Sequence, residues 1–123
     1  MQHILVVDDD AALLEALETT LKAEQFQVTT ARNGKEGLKK IKENKPDLVL
    51  LDIVMPQMDG ITMMHKLQDN PGTKNIPIIF LTNLSDVDTI SKVIREGMFD
   101  YLVKSEWDIN DLVSLVKKRL KKK

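Results

Sequence analysis

The most constraining feature of the sequence is an uninterrupted apolar run, LVLL at residues 48–51, that ends abruptly at Asp52. Such runs are typical of strands that are buried on both faces, as in the middle of a parallel sheet. A loop with Pro56 and Gly60 follows. Open α/β sheets bind ligands outside the carboxyl ends of their strands, which would give Asp52 a chemical role. Asp is also a common turn residue, and the other strand ends decide between these two interpretations.

The rest of the chain alternates strand-like runs with helical patterns. Strands are predicted at residues 4–7, 26–31, 48–51, 76–81 and 99–103, and helices at about 10–24, 33–44, 60–68, 86–96 and 109–123. Five strands that alternate with five helices favour right-handed crossovers and a parallel sheet with helices on both faces. The predicted fold is a flavodoxin-like, doubly wound (βα)5 α/β sandwich with the strand order 2-1-3-4-5.

Composition limits the class of protein. A chain of 123 residues with 42% hydrophobic residues is expected to form one domain, with no output domain within residues 1–123. The formal net charge of -1 favours neither nucleic acid nor a membrane surface as a partner. The absence of cysteine excludes disulfides and thiolate metal sites. Because no signal-like start and no apolar stretch of about 20 residues is present, a cytoplasmic location is expected.

Polar side chains follow four of the five predicted strands. The first strand is followed by Asp8 and Asp9, the third by Asp52, the fourth by Thr82 and the fifth by Lys104. Since the carboxyl ends of parallel strands meet at one edge of the sheet, these side chains are expected to lie close together. Three neighbouring carboxylates repel one another unless a cation lies among them. Lys104 can offset one charge, and a site of oxygen ligands indicates Mg²⁺ or Mn²⁺ rather than zinc.

The same residues limit the reactions that this site could carry out. Mg²⁺ that is held by one or two carboxylates usually completes its shell with water and a phosphate, which leaves a place for a phosphoryl group. Asp52 is the candidate nucleophile because Asp carboxylates form acyl phosphates. The ion and Lys104 would neutralise charge on the phosphoryl oxygens, and the Thr82 hydroxyl would hydrogen-bond one of them.

Four motifs, in this order, resemble those of a response-regulator receiver domain, chemotaxis-regulator-like, over essentially the whole chain. They are VVDDD at residues 6–10, LLDIVMPQMDG at 50–60, FLTN at 80–83 and YLVKS at 101–105. The resemblance implies a single receiver domain over residues 1–123, acting in two-component signalling. It also implies that a Mg²⁺ ion is bound by Asp8, Asp9, Asp52 and the carbonyl of Val54.

The resemblance further implies a switch. Asp52 would accept a phosphoryl group from a sensor histidine kinase or a histidine phosphotransfer protein, with Thr82 and Lys104 in contact with that group. Thr82 would then move toward the phosphoryl group, and Tyr101 would fill the vacated space. The face formed by the fourth helix, fifth strand and fifth helix would change shape and bind a downstream protein target. The domain would catalyse only its own phosphorylation and dephosphorylation.

Three features depart from the family pattern. Ser105 follows Lys104 where the family usually has proline, often after a cis bond, and a non-proline cis bond costs about 2.5–4 kcal/mol. The peptide bond between Lys104 and Ser105 can therefore be trans, which would place the following loop differently from that of the family. Val54 and Leu84 are apolar at positions where many members are polar, and Asn83 is larger than the usual small residue. These side chains give an attacking water few partners and little room, which predicts slow dephosphorylation.

Two alternatives come from other classes of protein. An Asp-nucleophile phosphatase would need a general acid two residues after Asp52, where Val54 cannot serve. A pseudo-receiver would bind proteins independently of phosphorylation, and the intact set of polar residues argues against it. His65 is predicted to lie at the surface. The basic residues near the C-terminus suit a solvated helix end, so nucleic acid is not an expected partner.

Overall fold

The computed structural model describes residues 1–83, 88, 91 and 99–121. The strands are β1 (His3–Val7), β2 (Gln27–Ala31), β3 (Leu48–Asp52), β4 (Ile78–Thr82) and β5 (Phe99–Val103). The helices are α1 (Ala11–Ala23), α2 (Gly34–Glu43), α3 (Gly60–Gln68) and the C-terminal helix (Ile109–Lys121). The helix predicted at 86–96 lies outside the described residues, apart from Asp88 and Ser91, which are helical.

The five strands form one parallel sheet in the order β2-β1-β3-β4-β5, which confirms the predicted flavodoxin-like fold. Val7, Leu51, Phe80 and Tyr101 occupy one row across β1, β3, β4 and β5. Residues that follow this row on the carboxyl side therefore lie along one edge of the sheet. The register thus brings the predicted site residues to a common edge.

The sheet separates two layers of apolar side chains. On one face, residues such as Ile4, Leu48 and Leu50 pack with α1 and the C-terminal helix. On the other face, Leu5 and Val49 pack in a second layer that includes residues of α2 and α3. Because neighbouring strand residues alternate between two buried faces, β3 and β4 are apolar up to their last residues, Asp52 and Thr82. This burial explains the uninterrupted apolar runs in the sequence.

Each of the four helices with bounds given above begins after a short polar residue that caps its N-terminus. The side-chain oxygen of the cap accepts a hydrogen bond from a backbone N–H in the first turn, and the caps are Asp10, Asn33, Asp59 and Asp108. A cap of this kind stabilises a helix by about 1 kcal/mol. The helices of the described residues are 13 residues long at most, and none is long and apolar enough to span a bilayer.

The strand bounds differ most from the prediction at the fourth strand, whereas β1, β2 and β3 each differ by one residue at one end. The fourth strand was expected at residues 76–81, whereas β4 runs from Ile78 to Thr82. Pro77 has no N–H and cannot donate to the ladder, so regular pairing starts after it. The Pro77 carbonyl still accepts a hydrogen bond from the Val49 N–H at 3.0 Å. At the other end, Thr82 is the last residue of the strand and pairs with Val103 of β5.

Candidate functional site

Three carboxylates converge at the carboxyl edge of the sheet. Asp8 follows β1, Asp9 comes next, and Asp52 is the last residue of β3. Each of them offers an oxygen atom, and these oxygens all lie within 4.8 Å of one another. Asp8 is fully buried and Asp52 is 3% exposed, whereas Asp9 faces solvent. Two charges of the cluster are therefore held in the protein interior.

Backbone hydrogen bonds fix the position of Asp8. Its N–H donates to the carbonyl of Ala31 at 3.1 Å, which extends the pairing of β1 with β2 by one residue. Its Oδ1 accepts a hydrogen bond from the Asp10 N–H at 2.9 Å. Its Oδ2 has no hydrogen bond of regular geometry from the described residues and lies 2.9 Å from Lys104 Nζ. One oxygen is thus held by the backbone, while the other faces a cation.

Lys104 places its ammonium group between the two buried carboxylates. Nζ lies 2.9 Å from Asp8 Oδ2 and 3.3 Å from Asp52 Oδ1. The Lys104 N–H donates to the Thr82 carbonyl at 2.7 Å, which anchors the residue beside β4. The bond between Lys104 and Ser105 is trans, as are the other peptide bonds of the described residues. The ammonium is therefore held from two sides at the edge of the sheet.

The electrostatics of the site follow from burial and proximity. Burial, and next the charge of Asp8, raise the pKa of Asp52 to about 6, although Lys104 opposes both effects. Burial lowers the pKa of Lys104, but its contacts with Asp8 and Asp52 outweigh this effect, and the net direction is upward. Above about pH 7, Asp52 is therefore largely ionised. One ammonium group then cannot balance the three carboxylates of the cluster.

The donor set fits Mg²⁺ or Mn²⁺. Both ions prefer oxygen ligands, and the site offers three carboxylates without sulfur or imidazole. Two oxygens bound to one Mg²⁺ at about 2.1 Å lie at most about 4.2 Å apart. Three ligands of one octahedral ion include at least two pairs at right angles, about 3.0 Å apart, so the carboxylate oxygens, which lie within 4.8 Å of one another, would need to approach by up to about 1.8 Å. An ion at this position would offset the charge that Lys104 leaves unbalanced.

The segment after β3, residues 53–59, is named the acceptor loop. Ile53 and Met55 are buried, whereas the side chain of Val54 between them is 58% exposed. The N–H of Gly60 donates to the Ile53 carbonyl at 2.8 Å. A Cβ atom on Gly60 would lie 2.1 Å from the carbonyl oxygen of Asp52. Only glycine allows α3 to begin this close to the end of β3.

Thr82 and Tyr101 occupy neighbouring strands. Thr82 is fully buried, and its hydroxyl donates to the Asn83 carbonyl at 3.1 Å. Tyr101 lies on β5 opposite Phe80, and its side chain is 37% exposed. The structure therefore has Thr82 bonded to the adjacent backbone and Tyr101 at the surface.

Other residues fall outside this cluster or were missed by the sequence analysis. His65 is exposed on α3, as predicted. Gly34 at the start of α2 contacts Met58 in the acceptor loop, which the sequence analysis did not predict. Because this contact joins residues that are distant along the chain, no local pattern reveals it. The Asn-Gly pair at residues 33–34 signals only a helix start.

Comparisons with known proteins agree with this architecture. The chain matches the response regulator receiver domain family over residues 4–117. It is 40% identical over 107 residues to the response regulator PleD of Caulobacter vibrioides, covering 87% of this chain and 24% of PleD. It is 37% identical over 121 residues to the DNA-binding response regulator MtrA of Mycobacterium tuberculosis, covering 98% of this chain and 51% of MtrA.

A solved structure gives the same result. The signal receiver domain of a signal transduction histidine kinase from Syntrophus aciditrophicus matches with a TM-score of 0.88 at 32% identity, covering 98% of this chain and 91% of that chain. The chain spans about a quarter of the length of PleD and about half of the length of MtrA. The family match includes all of β1 except His3 and most of the C-terminal helix. The chain therefore belongs to the response regulator receiver domains, the phosphoacceptor signalling domains of two-component systems.

Proposed function

We propose that this chain is a switch in which Asp52 accepts a phosphoryl group in a Mg²⁺-dependent reaction. The observation that carries the proposal is the position of Asp52. Its Oδ1 lies 3.3 Å from Lys104 Nζ, and it offers an oxygen within 4.8 Å of those of Asp8 and Asp9. This arrangement combines a nucleophilic carboxylate with a fixed positive charge and an oxygen-rich cation site. The donor would be a sensor histidine kinase or a histidine phosphotransfer protein.

The chemical step forms one bond and breaks one. A carboxylate oxygen of Asp52 forms a bond to phosphorus, while the bond between phosphorus and the donor histidine nitrogen breaks and leaves its electron pair on the imidazole. Lys104 holds its ammonium group where it neutralises charge on the phosphoryl oxygens. Mg²⁺, held by Asp8, Asp9, Asp52 and the Val54 carbonyl, would supply further neutralisation and orient the phosphoryl group. The reaction is the chain's own modification, with no second substrate turned over.

The signalling step would use Thr82 and Tyr101. A hydroxyl group reorients at little cost, so the Thr82 hydroxyl can turn from the Asn83 carbonyl toward a phosphoryl oxygen. Its movement would free space into which Tyr101, now 37% exposed, could turn. The face formed by β5, the C-terminal helix and the residues of the predicted fourth helix would then change shape. A downstream protein target that binds one shape better would respond to the phosphoryl group.

Incubation with acetyl phosphate and Mg²⁺ tests the proposal. We expect intact-mass measurement to show one added phosphoryl group on the parent chain and none on Asp52→Ala. Asp59→Asn is the matched control, because Asp59 is an exposed cap of α3 and asparagine caps a helix as well as aspartate does. The control should keep the adduct. Removal of Mg²⁺ with EDTA should abolish it in both proteins.

Two results would contradict the proposal. A folded parent chain that gains no phosphoryl group from acetyl phosphate or from a phosphorylated histidine donor would favour the pseudo-receiver, which binds its partners without phosphorylation. An adduct that persists undiminished on Asp52→Ala would show that another residue is the acceptor.

The residues around the acceptor predict a long-lived phosphoryl group. Val54 lies two residues after Asp52, and the exposed Asn83 directly follows Thr82. Val54 offers no hydrogen bond to an attacking water, and Asn83 takes up room beside it. We expect the double variant Val54→Asn with Asn83→Ala to lose its phosphoryl group about tenfold faster than the parent, a barrier lower by about 1.4 kcal/mol.

The lifetime is measured by intact mass at intervals after removal of the donor. Asn110→Ala, at an exposed asparagine of the C-terminal helix, is the control for the loss of an amide and should decay like the parent. An unchanged lifetime in the double variant would refute the explanation from these two side chains. Leu84, the other apolar departure, lies outside the described residues.

A further inference from the structure

We infer that the start of α2 positions the acceptor loop, and that Gly34 and Met58 are positioning residues for the cation site. The inference rests on the proposed function, because that site is part of it. It concerns residues that contact neither the ion nor the phosphoryl group. Their effect would be transmitted through the backbone of the acceptor loop.

The contact between α2 and the acceptor loop is close and specific. The Gly34 N–H, one of the N–H groups that a helix start leaves free, donates to the Met58 carbonyl at 3.2 Å. The Met58 side chain lies over the same glycine. A Cβ atom on Gly34 would lie 2.8 Å from the Met58 carbonyl oxygen and 3.0 Å from its Cγ. Gly34 does not have a positive φ, so the position requires space and not an unusual backbone conformation.

The Met58 end of the loop contains a tight turn that needs support. Gln57 has a φ of 69°, and the Met58 N–H donates to the Pro56 carbonyl at 2.8 Å, which closes a three-residue turn. A non-glycine residue in such a conformation costs about 1–3 kcal/mol and persists only where surrounding contacts hold it. The hydrogen bond from Gly34 is one of these contacts. α2 therefore helps to hold the loop in this conformation.

The loop is fixed at both ends, and Val54 lies between the two points. The Gly60 N–H holds the Ile53 carbonyl at one end, and Gly34 holds Met58 at the other. The Val54 carbonyl is the proposed main-chain ligand of the ion. Mg²⁺ demands a nearly ideal octahedral arrangement at about 2.0–2.1 Å, so a small displacement of one ligand weakens binding. Gly34 and Met58 would thus set the affinity of the site for its ion from outside the site.

Gly34→Ala tests the inference, with binding of Mn²⁺ measured from the electron paramagnetic resonance signal of the free ion. The added methyl group must displace Met58, whose closest atom is a backbone oxygen that cannot rotate away. We expect the dissociation constant for Mn²⁺ to rise at least fivefold, with the protein still folded by circular dichroism. The readout is equilibrium binding and requires no phosphorylation.

Gly37→Ala is the matched control, one turn further along the same buried side of α2. A Cβ atom there would meet the Met63 Cε at 3.0 Å and the Val7 Cγ2 at 3.2 Å, which are ends of core side chains and not part of the acceptor loop. Alanine favours the helix by up to about 1 kcal/mol over glycine, which offsets the shift of Met63. We expect Mn²⁺ affinity within twofold of the parent. If Mn²⁺ binding weakens equally in Gly34→Ala and Gly37→Ala, the cause is a general disturbance of α2. That result would overturn the inference.

Met58→Ala decides the question if Gly34→Ala does not fold. It removes the side chain that lies over Gly34 without adding a clash, and we expect Mn²⁺ binding to weaken at least twofold. An unchanged affinity in that variant would overturn the inference. If the parent binds Mn²⁺ and Gly34→Ala binds it equally well, the inference alone is wrong. A parent chain that binds no Mn²⁺ would overturn both the inference and the proposed function.

Discussion

Asp52→Asn is expected to raise the free energy of unfolding of the metal-free protein by about 3 kcal/mol at about pH 7.5. Folding raises the pKa of Asp52 from 3.8 to about 6, mainly through burial and then through the Asp8 charge. Each pKa unit corresponds to about 1.4 kcal/mol, and two units give about 3 kcal/mol. The amide has a similar shape and no charge, so the variant escapes this cost. The ionised Asp52 carboxylate therefore destabilises the fold that carries it.

The stability difference between the parent and Asp52→Asn depends on pH. Because the folded pKa is the higher one, the folded state binds more protons than the unfolded state between pH 3.8 and about 6. The parent therefore loses stability as pH rises through this window, and Asp52→Asn does not. The difference between the two proteins should be near zero below the lower pKa and complete above the upper one. Denaturant unfolding in EDTA at both ends of the window measures it.

Asp59→Asn is the matched control for the loss of a carboxylate near the site. Because Asp59 is an exposed cap, its variant should unfold within about 0.5 kcal/mol of the parent at both pH values. A stability of Asp52→Asn that equals the parent's at neutral pH would show that burial does not oppose ionisation of Asp52.

Lys104→Met is expected to lower the free energy of unfolding by about 3 kcal/mol at about pH 7.5 in metal-free buffer. Asp8 is fully buried, and its Oδ2 contacts Lys104 at 2.9 Å. Removal of the ammonium group leaves Asp8 and Asp52 as buried charges without a compensating cation. The lysine side chain is 22% exposed, so entering water would limit the loss to the lower part of the range of about 3–5 kcal/mol for buried pairs.

A double-mutant cycle measures how much of the stabilisation by Lys104 depends on the Asp52 carboxylate. In the Asp52→Asn background only Asp8 remains charged beside the lysine, so Lys104→Met should cost about 1 kcal/mol less than in the parent. Lys118→Met is the control, because Lys118 is exposed and has no ion pair with the residues that the structure describes. Denaturant unfolding of the four proteins of the cycle measures the coupling. An equal cost in both backgrounds would mean that Lys104 does not stabilise the Asp52 carboxylate.

The sequence predicted the central part of the fold because the physics there is local. Residues 48–51 must be apolar throughout, since β3 is buried on both faces, and the run ends where the site begins. The parallel register then determines which strand ends meet. For this reason Asp8, Asp52 and Lys104 could be expected together before their distances were known. The upward shift of the Asp52 pKa comes mainly from burial at the end of β3 and next from the charge of Asp8.

Other features depend on tertiary contacts that no local pattern encodes. The start of β4 shifted by two residues because Pro77 cannot donate to the ladder, although its neighbours are apolar. The contact between Gly34 and Met58 joins a helix start to a loop on the next crossover. The only sequence feature at this contact is a glycine after a helix cap. The same pattern would occur in a helix whose start contacts no loop. The position of the Lys104 ammonium group between Asp8 and Asp52 likewise depends on side-chain packing.

The identity of the phosphorylated residue is the most direct test of Asp52 as the phosphoryl acceptor. Borohydride reduces an acyl phosphate on aspartate to homoserine, which peptide mass spectrometry locates in the chain. After incubation with acetyl phosphate and Mg²⁺, we expect homoserine at the position of Asp52 and at neither Asp8 nor Asp9, and none when EDTA is present. Homoserine at Asp8 or Asp9, or a phosphoryl group on the Thr82 hydroxyl that resists borohydride, would show that Asp52 is not the acceptor.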